Sequence, residues 1–513
     1  MSGRAPALGG EPNRRRERRV LFRADASPRI GSGHVVRCLA LAAELERRGT
    51  PTVFATRDGP GSLSDLMAAG GSSVIALHAH PEGEVAEIAA CTPGPEAGRY
   101  PALVMDDYEL GDDWLRRSRG LARRRFVIDD LANRQLPCEV LVNPSLAVSA
   151  DEYADVTQPG TELLLGTRYA LLRPAFAAAR AAGPRPAGAV TRILVSMGGG
   201  DPWGASVRAV AAARSAVAEA RVDVVLGALH AGPREFGPGV EVHEAIDAAA
   251  MANLLASSDM VIGAGGTSSW ERCCLGRPSI VVRVAANQDA NVDRLAAIGA
   301  AIDAGPVDAL DTERLAGLIR GLAANTAARR AMIDTAWKLV DGRGVERLAN
   351  HIEGVRLRRA TMKDVRLLWE WANDPGTRAA SLHPDSIPFA DHERWLRDRL
   401  ADRSCLLLIG ENGAGRLGQV RFDRRDEGVE ISISVAPEHR GTVGGLLLAS
   451  ALRRFRTWSS DPEVYARVKV DNVPSRRIFE RAGFHLAAER YGVLTFRASL
   501  APRGAASPEG VRA

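Results

Sequence analysis

His34 is a candidate catalytic residue, because it directly follows the loop Gly31-Ser32-Gly33 and stands at the start of an amphipathic helix. The partial positive charge at a helix N-terminus disfavours the imidazolium form. The ring is therefore expected to be neutral near pH 7, which is the state that a general base needs. A histidine here could equally cap the helix, bind a phosphate without chemistry or fill the core, so its position alone leaves these readings open.

Two glycine-rich turns follow strands further along the chain: SMGGGDP at Ser196–Pro202 and GAGGTSSWE at Gly263–Glu271. Backbone N–H groups at such turns suit a diphosphate. Neither turn is GxGxxG or a Walker loop, so neither indicates dinucleotide or ATP chemistry. Glu271 could accept hydrogen bonds from ribose hydroxyls or simply complement the helix dipole, and Asn287 and Gln288 could line the same cleft.

Short apolar strands alternate with alanine- and leucine-rich helices over most of the 513 residues, and 46% of the chain is hydrophobic. This alternation predicts α/β folding with doubly wound parallel sheets. It runs through residues 20–180, stops at an Ala-, Gly- and Pro-rich linker, and restarts over residues 190–352. We therefore expect two Rossmann-like domains with a cleft between them, in which ligands lie at the carboxyl ends of strands.

A different pattern begins near residue 355, where strands such as CLLLIG, LGQVRFD and VEISISV look antiparallel. We expect an α+β domain over residues 355–500. The remaining residues, 1–19 and 501–513, are predicted to be tails, the first of them disordered. The dense basic run Arg14–Arg19 is then a solvated tail rather than a nucleic-acid site.

Composition narrows the class of protein. Net charge is only +5 and no apolar run approaches the roughly 18 residues of a membrane span, so we expect neither nucleic-acid nor membrane partners. The six cysteines form no CxxC pair and no metal-ligand spacing, which favours a reducing, cytoplasmic location. Asp129 and Asp130 could form a metal pair, but a role in positioning their loop is favoured, and no metal is predicted.

Several segments occur in the order found in the UDP-sugar hydrolases of pseudaminic-acid biosynthesis, GT-B-fold relatives of the MurG glycosyltransferase. They are RADASPRIGSGHVVRCLALA, VMDDY, FVIDDLANR, LVNPS, GTRYALLRPAF, SMGGGDP and GAGGTSSWE. The resemblance covers about Val20 to Leu348. It implies hydrolysis of UDP-2,4-diacetamido-2,4,6-trideoxy-β-L-altropyranose to UDP and the free sugar.

The resemblance also implies roles for residues. His34 would be the base that activates water, Glu271 would bind ribose, and Asp106, Asp107 and Tyr108 would face the sugar. The nucleotide loop would be formed by Gly265, Gly266, Thr267 and Ser268. The full set of predicted substrate contacts adds Gly33, Arg37, Arg173, Gly199, Asn287 and Gln288. Attack from the face opposite the leaving group predicts inversion, and a neutral histidine would contribute about 10²- to 10⁴-fold.

The C-terminal segments HRGTVGGLLLAS and VDNVPSRRIFERAGF resemble the coenzyme A loop and closing segment of GNAT acetyltransferases, over about Val355 to Phe496. The resemblance implies acetyl-CoA as cofactor. The predicted coenzyme contacts are Val435, Arg440, Gly441, Gly444, Gly445, Asn472 and Ser475. Val443 replaces the middle glycine of the family's loop, and Phe479 replaces the tyrosine that often serves as general acid.

WANDPGTR and HERW resemble the amino-sugar N-acetyltransferase of the same pathway, which acts one step upstream of the hydrolase. A fusion of two consecutive activities is therefore the prediction. Glu430 could take the amine proton, although a solvent-facing strand residue is favoured. His383, His392 and His439 are expected to be surface histidines.

Three alternatives remain at this point. The two-domain scaffold could pass the sugar to an acceptor rather than to water, although no membrane-associating patch of the MurG kind is visible. It could bind a UDP-sugar without turnover as a regulatory module. The GNAT domain could be inactive, because Val443 and Phe479 depart from the family pattern.

Overall fold

The computed structural model describes residues 19–27, 31–91, 100–459 and 463–500. Contacts divide the chain into one unit that ends at Ala349 and a second that begins at Asn350. The predicted tails lie outside the described residues, apart from Arg19. Within the described residues, no helix is both long and apolar enough to cross a membrane.

The first sheet of the N-terminal unit has seven parallel strands among the described residues, in the order β3-β2-β1-β4-β5-β6-β7. The central strands are buried on both faces, as their continuous apolar runs predict. The strands are β1 Val20–Ala24, β2 Thr52–Arg57, β3 Ser73–Leu77, β4 Leu103–Asp106, β5 Arg125–Ile128, β6 Val140–Asn143 and β7 Glu162–Leu165. The helices are α1 Gly33–Arg47, α2 Ser64–Ala69, α3 Pro81–Ala90 and α4 Asp112–Arg117.

The second sheet of this unit has six parallel strands among the described residues, in the order β10-β9-β8-β11-β12-β13. Its strands are β8 Arg192–Ser196, β9 Arg221–Leu226, β10 Val240–Glu244, β11 Met260–Ala264, β12 Ser279–Arg283 and β13 Ile302–Pro306. Its helices are α5 Pro174–Arg180, α6 Ala205–Ala216, α7 Ala248–Ser257, α8 Ser268–Cys274, α9 Asp289–Ala297, α10 Thr312–Ala324 and α11 Thr326–Leu339, and α12 Gly344–Glu353 follows. Strand order reverses beside β1 in the first sheet and beside β8 in the second, and open α/β sheets bind ligands at such points.

The segment ELLLGTRYALLRPAF passes from one half of the unit to the other. Its first residues form β7 in the first sheet. Ala170, Leu172 and Phe176 instead pack in the core of the second sheet, where α5 contacts α7 and α8. The core of the second half therefore begins before residue 180, the end predicted for the first half.

The C-terminal unit is a mixed sheet with helices on its faces. Its strands follow the order β14-β15-β16-β17-β18-β20-β19 and are antiparallel except for the pair β17–β18. They are β14 Arg356–Arg359, β15 Cys405–Asn412, β16 Gly415–Arg425, β17 Gly428–Val435, β18 Glu463–Lys469, β19 His485–Arg490 and β20 Val493–Ser499. The helices are α13 Val365–Asn373, α14 Pro375–Ala380, α15 Phe389–Ala401, α16 Gly444–Phe455 and α17 Val473–Arg481.

The predicted fold class is confirmed: two parallel Rossmann-like sheets precede an α+β domain. The strands that the sequence did not indicate include three at sheet edges, β10, β13 and β19, and the interior strand β20. β10 reads VEVHE and is only partly buried, β13 contains Gly305 and Pro306, and every residue of β19 is exposed. Edge strands lack the continuous apolar run by which buried parallel strands are found.

A buried carboxylate on β9, the strand next to the edge strand β10, should make stability depend on pH. Asp223 accepts hydrogen bonds from Arg192 at 2.6 Å and Arg221 at 3.2 Å and contacts His243 at 2.9 Å. Burial acts to raise its pKa, but these partners outweigh burial and lower the pKa to about 2. Because the unfolded value is about 3.9, the stabilisation is complete above that pH and is lost as pH falls towards 2.

We therefore expect Asp223→Asn to lower the Tm by about 2–4 °C at pH 7. The difference from the native chain should shrink as pH falls from about 5 to about 2, because the native carboxylate then becomes protonated. Thermal denaturation at several pH values across this range measures the difference in Tm. Asp308→Asn is the control, because Asp308 is exposed. A difference in Tm that does not change with pH would contradict the assignment.

Candidate functional site

His34 and its partners form a buried charged cluster at the carboxyl ends of β1 and β4. His34 is the second residue of α1, and its Nδ1 lies 2.6 Å from Asp106 Oδ1. Asp106 is the last residue of β4 and is fully buried. The Arg37 guanidinium donates to both oxygens of the same carboxylate, from Nε at 2.5 Å and from Nη2 at 2.6 Å. One carboxylate therefore holds both the imidazole and the guanidinium.

This contact determines which ring nitrogen of His34 carries the proton. Burial acts to raise the pKa of Asp106, but Arg37 and His34 outweigh burial and hold the pKa far below its usual value. An ionised carboxylate can only accept, so the Nδ1 of neutral His34 must donate to it. Nε2 is then the nitrogen with a free lone pair, and it has no partner among the described residues. The ring is thus arranged as a proton acceptor.

Tyr108 forms the wall beside His34. The two rings meet edge to face with centroids 4.4 Å apart. Burial and the nearby Asp130 carboxylate raise the pKa of the phenol above its ordinary value, so the hydroxyl stays protonated. Asn287, from the second half of the unit, donates to the Tyr108 hydroxyl at 3.2 Å. The two halves therefore meet at this side chain.

Three neighbouring aspartates have different roles: Asp107 and Asp129 hold their loops, whereas Asp130 faces Arg37. Asp107 Oδ1 accepts from the N–H groups of Glu109 and Leu110, so this oxygen holds the loop after β4. Asp129 holds the loop after β5 in the same way, because it accepts from Ala132 N at 2.8 Å. Asp130 instead has Oδ2 at 3.5 Å from Arg37 Nη1, and its buried Oδ1 has no hydrogen-bond partner.

The turn after β11 offers a row of backbone donors. The N–H groups of Gly266, Thr267 and Ser268 donate to no acceptor in the described part of the chain. The N–H of Gly265, predicted to bind phosphate, is instead used by Val282 O at 3.1 Å and Gln288 Oε1 at 3.0 Å. A side chain at Gly265 would meet Val292 at 2.5 Å, which explains the glycine.

Gln288, predicted to contact substrate, lies under this turn rather than beside it. Its Oε1 accepts from the N–H groups of Gly265 and Val284 and so ties the turn to the end of β12. The physical reason is that an amide oxygen with two acceptor sites satisfies two neighbouring strand ends at once. Substrate contact by Gln288 would therefore fall to its amide nitrogen.

Both glycine-rich turns approach the His34 loop. A Cβ added to Gly33 would lie 3.8 Å from Thr267 Oγ1. A Cβ added to Gly199 would lie 2.4 Å from Ser32 Oγ, so a larger residue there would require the Ser32 side chain to move. The structure thus brings the predicted residues of the two halves together around one cleft.

Glu271 and Arg173 pair on the second half of the unit. Arg173 Nη2 lies 3.3 Å from Glu271 Oε1, and the Glu271 side chain is 13% exposed. Burial raises the pKa of this carboxyl despite the nearby arginine. Arg173 also keeps a buried Nε without a hydrogen-bond partner. Each member therefore retains capacity to bind a further polar group.

A group that sequence spacing did not reveal lies apart from this cleft. Single ligand atoms of Asp223, Glu241 and His243 lie within 4.8 Å of one another. The residues come from β9 and β10, whose pairing is not visible in the sequence. Asp223 is already bonded to two arginines and to His243, so the arrangement is explained by internal ion pairing.

In the C-terminal unit, the strands β17 and β18 separate beside the predicted coenzyme loop. They pair only at Val429–Val464 and Glu430–Tyr465, which leaves the end of β17 open on that side. β17 ends at Val435, and α16 begins at Gly444, whose Cβ would meet Ile478 at 2.7 Å. Gly445 is exposed, and a Cβ there would have nothing within 4 Å.

The remaining predicted coenzyme residues surround this loop. The N–H groups of Val443, Gly444 and Gly445 donate to no acceptor among the described residues. Val443 has φ −126°, a backbone conformation that any residue adopts, and its side chain is buried. Arg440 forms an ion pair with Asp374 and also donates to Thr377. Gly441 follows with φ +79°.

A hydrogen bond joins Asn472 and Ser475 at the start of α17. The side chain of Asn472 caps α17 by accepting from Ser475 N at 3.2 Å. Phe479, on the same helix, is buried, and its ring centroid lies 5.1 Å from that of Phe484 and 6.4 Å from that of Phe496. A core aromatic thus occupies the position of the family's tyrosine.

Two expectations for this unit need correction. His392 was expected at the surface but is 4% exposed, with its ring centroid 5.2 Å from that of Trp395, and burial lowers its pKa. Glu430 was expected to face solvent, yet it is 13% exposed and bonded to Arg467 Nε at 2.8 Å. Both are covered by elements that the linear pattern does not show to be neighbours.

Comparison with known proteins agrees with these two units. Residues 355–485 match the model of the acetyltransferase (GNAT) domain family. The second unit contains a GNAT domain. The match supports acetyltransferase activity for this domain, whose open β17 edge and α16 loop are described above.

Over 343 residues, the chain is 26% identical to the spore coat polysaccharide biosynthesis protein SpsG of Bacillus subtilis, a match that covers 63% of this chain and 95% of that protein. The N-terminal unit is a homologue of SpsG. MurG of Acinetobacter baumannii matches 65% of this chain and 99% of its own, with 16% identity and a TM-score of 0.46. Spermidine N-acetyltransferase from Vibrio cholerae, in complex with CoA and spermine, matches 29% of this chain and 96% of its own, with 20% identity and a TM-score of 0.27.

The surroundings of two residues of the N-terminal unit, Asp130 and Arg272, are visible only in the structure. Asp129 and Asp130 are adjacent in the sequence, but successive residues of an extended segment point to opposite faces, and Asp130 rather than Asp129 lies near Arg37. Arg272 lies directly under the turn at Gly265–Ser268. Because Arg272 directly follows Glu271 in the sequence, its position could have marked it as a residue close to the predicted nucleotide loop.

Proposed function

We propose that the N-terminal unit hydrolyses UDP-2,4-diacetamido-2,4,6-trideoxy-β-L-altropyranose to UDP and the free sugar, with inversion at the anomeric carbon. The observation that carries this proposal is the imidazole of His34, held at Nδ1 by Asp106 and open at Nε2. The name of the Bacillus subtilis relative, a polysaccharide biosynthesis protein, agrees with a sugar substrate.

The proposed role of His34 is to orient and deprotonate one water. Nε2 takes the proton as the water oxygen attacks the anomeric carbon, and the Asp106 carboxylate stabilises the imidazolium that forms. Arg37 keeps Asp106 ionised throughout, because the bidentate contact holds its pKa far below neutrality. General-base catalysis of this kind contributes about 10²- to 10⁴-fold.

The leaving group needs stabilisation rather than a proton, because UDP leaves as a stable anion. The free N–H groups of Gly266, Thr267 and Ser268 are suitable donors to its β-phosphate oxygens. Such donors are most effective when they are already oriented before charge develops. Gln288 supplies that orientation, since it fixes the start of the turn through Gly265.

Glu271 and Arg173 are proposed to bind the nucleoside. Arg173 Nη2 donates to Glu271 Oε1 at 3.3 Å, which is a long contact for a charged pair. The free oxygen of Glu271 can accept from ribose hydroxyls. Tyr108, Asn287 and Asp130 are proposed to contact the sugar from the other side of the cleft.

For the GNAT domain, we propose N-acetylation of an amino group on the precursor of the same nucleotide sugar. Acetyl-CoA supplies the acetyl group when bound. The N–H groups of Val443, Gly444 and Gly445 at the start of the 12-residue helix α16 would hold its pyrophosphate. The open edge of β17 up to Val435 would take the extended arm of the coenzyme.

Substituting Gly445 tests the coenzyme site without disturbing the fold. Gly445→Glu should reduce acetyl-CoA affinity by at least about 100-fold, because a carboxylate would occupy the space of the pyrophosphate and repel it. Gly445→Ala is the matched control and should bind within about threefold of the native chain, since a Cβ there meets nothing within 4 Å. Isothermal titration measures both, and normal binding by the glutamate variant would contradict the site.

Proton NMR of the native chain with the diacetamido UDP-sugar tests the hydrolase directly. We expect UDP and a free reducing sugar whose first-formed anomer has inverted configuration. Turnover only when a second sugar or lipid acceptor is added would instead identify a glycosyltransferase. Broadened ligand signals with no product would identify a binding module.

A further inference from the structure

Arg272 is a buried guanidinium that has no carboxylate partner within the described residues. Only 2% of the residue is exposed. Its hydrogen bonds go to neutral acceptors: Nη2 donates to Ala264 O and Ser269 Oγ, each at 2.8 Å, and Nη1 donates to Ser268 Oγ at 3.2 Å. Burying a charge without a counter-charge is costly, so buried cations are normally paired.

The surroundings of Arg272 remain positive overall. Burial lowers the pKa of this arginine to about 10, and the nearby charge of Glu271 opposes that shift only in part. The Glu271 carboxylate bonds to Arg173 rather than to Arg272. These three side chains together carry two positive charges and one negative charge, which leaves a net positive charge next to the turn at Gly265–Ser268.

The hydrogen bond from Arg272 to Ser268 connects the buried guanidinium to a hydroxyl that can donate to a ligand. Because Ser268 Oγ accepts from Arg272, its own O–H is available to donate elsewhere, and it donates to no acceptor among the described residues. Ser268 belongs to the turn whose three backbone N–H groups are also free. A hydroxyl polarised by a guanidinium is a stronger donor than an isolated one.

We infer that Arg272 is the buried counter-charge of the diphosphate that binds at the turn Gly265–Ser268. It acts through the Ser268 hydroxyl as a positioning residue and not as a direct ligand. The inference rests on the proposed nucleotide site and adds the group that balances the charge of the leaving UDP. It predicts that Arg272 discriminates between ligands by their phosphate charge.

Comparison of two ligands, UDP and uridine, tests the inference on the full-length chain. Arg272→Met should weaken UDP binding by about 10- to 100-fold, the range expected for hydrogen bonds to charged groups. Uridine binding should change by less than about threefold, because the nucleoside carries no phosphate. Isothermal titration of both ligands gives the ratio of Kd values, which a purely structural role would leave unchanged.

Arg277 provides a matched control. It is also buried, its pKa is also lowered to about 10 by burial, and it bonds to backbone carbonyls, among them Ser258 O at 3.0 Å. It precedes β12, whereas the turn follows β11, so it lies at the opposite end of the parallel sheet. Arg277→Met should therefore leave the ratio of UDP to uridine affinity unchanged.

A second variant keeps the inference testable if Arg272→Met does not fold. Ser268→Ala should weaken UDP binding by about 3- to 10-fold and leave uridine binding unchanged. Equal losses for both ligands in the Arg272 and Ser268 variants would overturn the role of Arg272 while leaving the nucleotide site intact. Failure of the native chain to bind UDP at all would overturn both the site and the inference.

Discussion

His34→Ala should lower the kcat for UDP-sugar hydrolysis by about 10²- to 10⁴-fold and leave the Kd for UDP within about threefold of the native value. The variant removes the only group proposed to accept the water proton. The charges beneath it stay balanced, because Asp106 keeps its two contacts with Arg37. Single-turnover NMR kinetics and UDP titration measure the two effects separately.

The control for this variant is His78→Ala. His78 is an exposed histidine that contacts Glu87 and lies outside the cluster, and its replacement should leave kcat unchanged. Native hydrolysis rates in His34→Ala would rule out the base. A loss of UDP affinity as large as the loss of rate would instead make His34 a phosphate ligand.

Asp106→Asn should reduce kcat by up to about 10⁴-fold while the His34 ring remains in place. The physical reason is the proton on the imidazole. An asparagine amide can donate to Nδ1, which would move the ring proton to Nε2 and remove the free lone pair. Rate measurements with the variant, together with NMR of the His34 ring nitrogens, would identify this change of tautomer.

The same substitution should also destabilise the unit, because Arg37 would remain buried without a negative partner. Breaking one side of a buried ion pair costs about 3–5 kcal/mol. Asp113→Asn is the control: Asp113 is an exposed residue that pairs with Arg117 one turn away, and it should alter neither rate nor stability. An Asp106→Asn variant with native kcat would show that the carboxylate does not set the tautomer.

The sequence allowed the main features of the cleft to be predicted because they are local. A histidine that follows a glycine-rich loop, and glycines that follow an apolar strand, must lie at the carboxyl end of a parallel sheet. The contacts between these loops depend on strand order, which the sequence does not state. The Asn287–Tyr108 bond joins residues 179 positions apart and could only be seen in the structure.

Individual side chains were also harder to predict than the loops that carry them. Gln288 and Asp107 lie in the expected loops, but their side-chain oxygens accept hydrogen bonds from backbone N–H groups nearby. Phe479 departs from the family motif, and only the structure shows that the ring fills the core beside Phe484 and Phe496. Motifs indicate where polar groups gather, whereas burial and pairing decide which remain available.

The path of the chain through the N-terminal unit limits how its cleft can open. The backbone leaves the first half after β7 and enters the second core at Ala170. It returns at α12, where Arg48 donates to Glu346 O and Arg347 donates to Arg168 O. Because the chain crosses between the halves at these two places, we expect movement of one half against the other to be a hinge rotation about them. Such a hinge would carry the turn at Gly265–Ser268 towards or away from His34 without disturbing the Asp106 cluster.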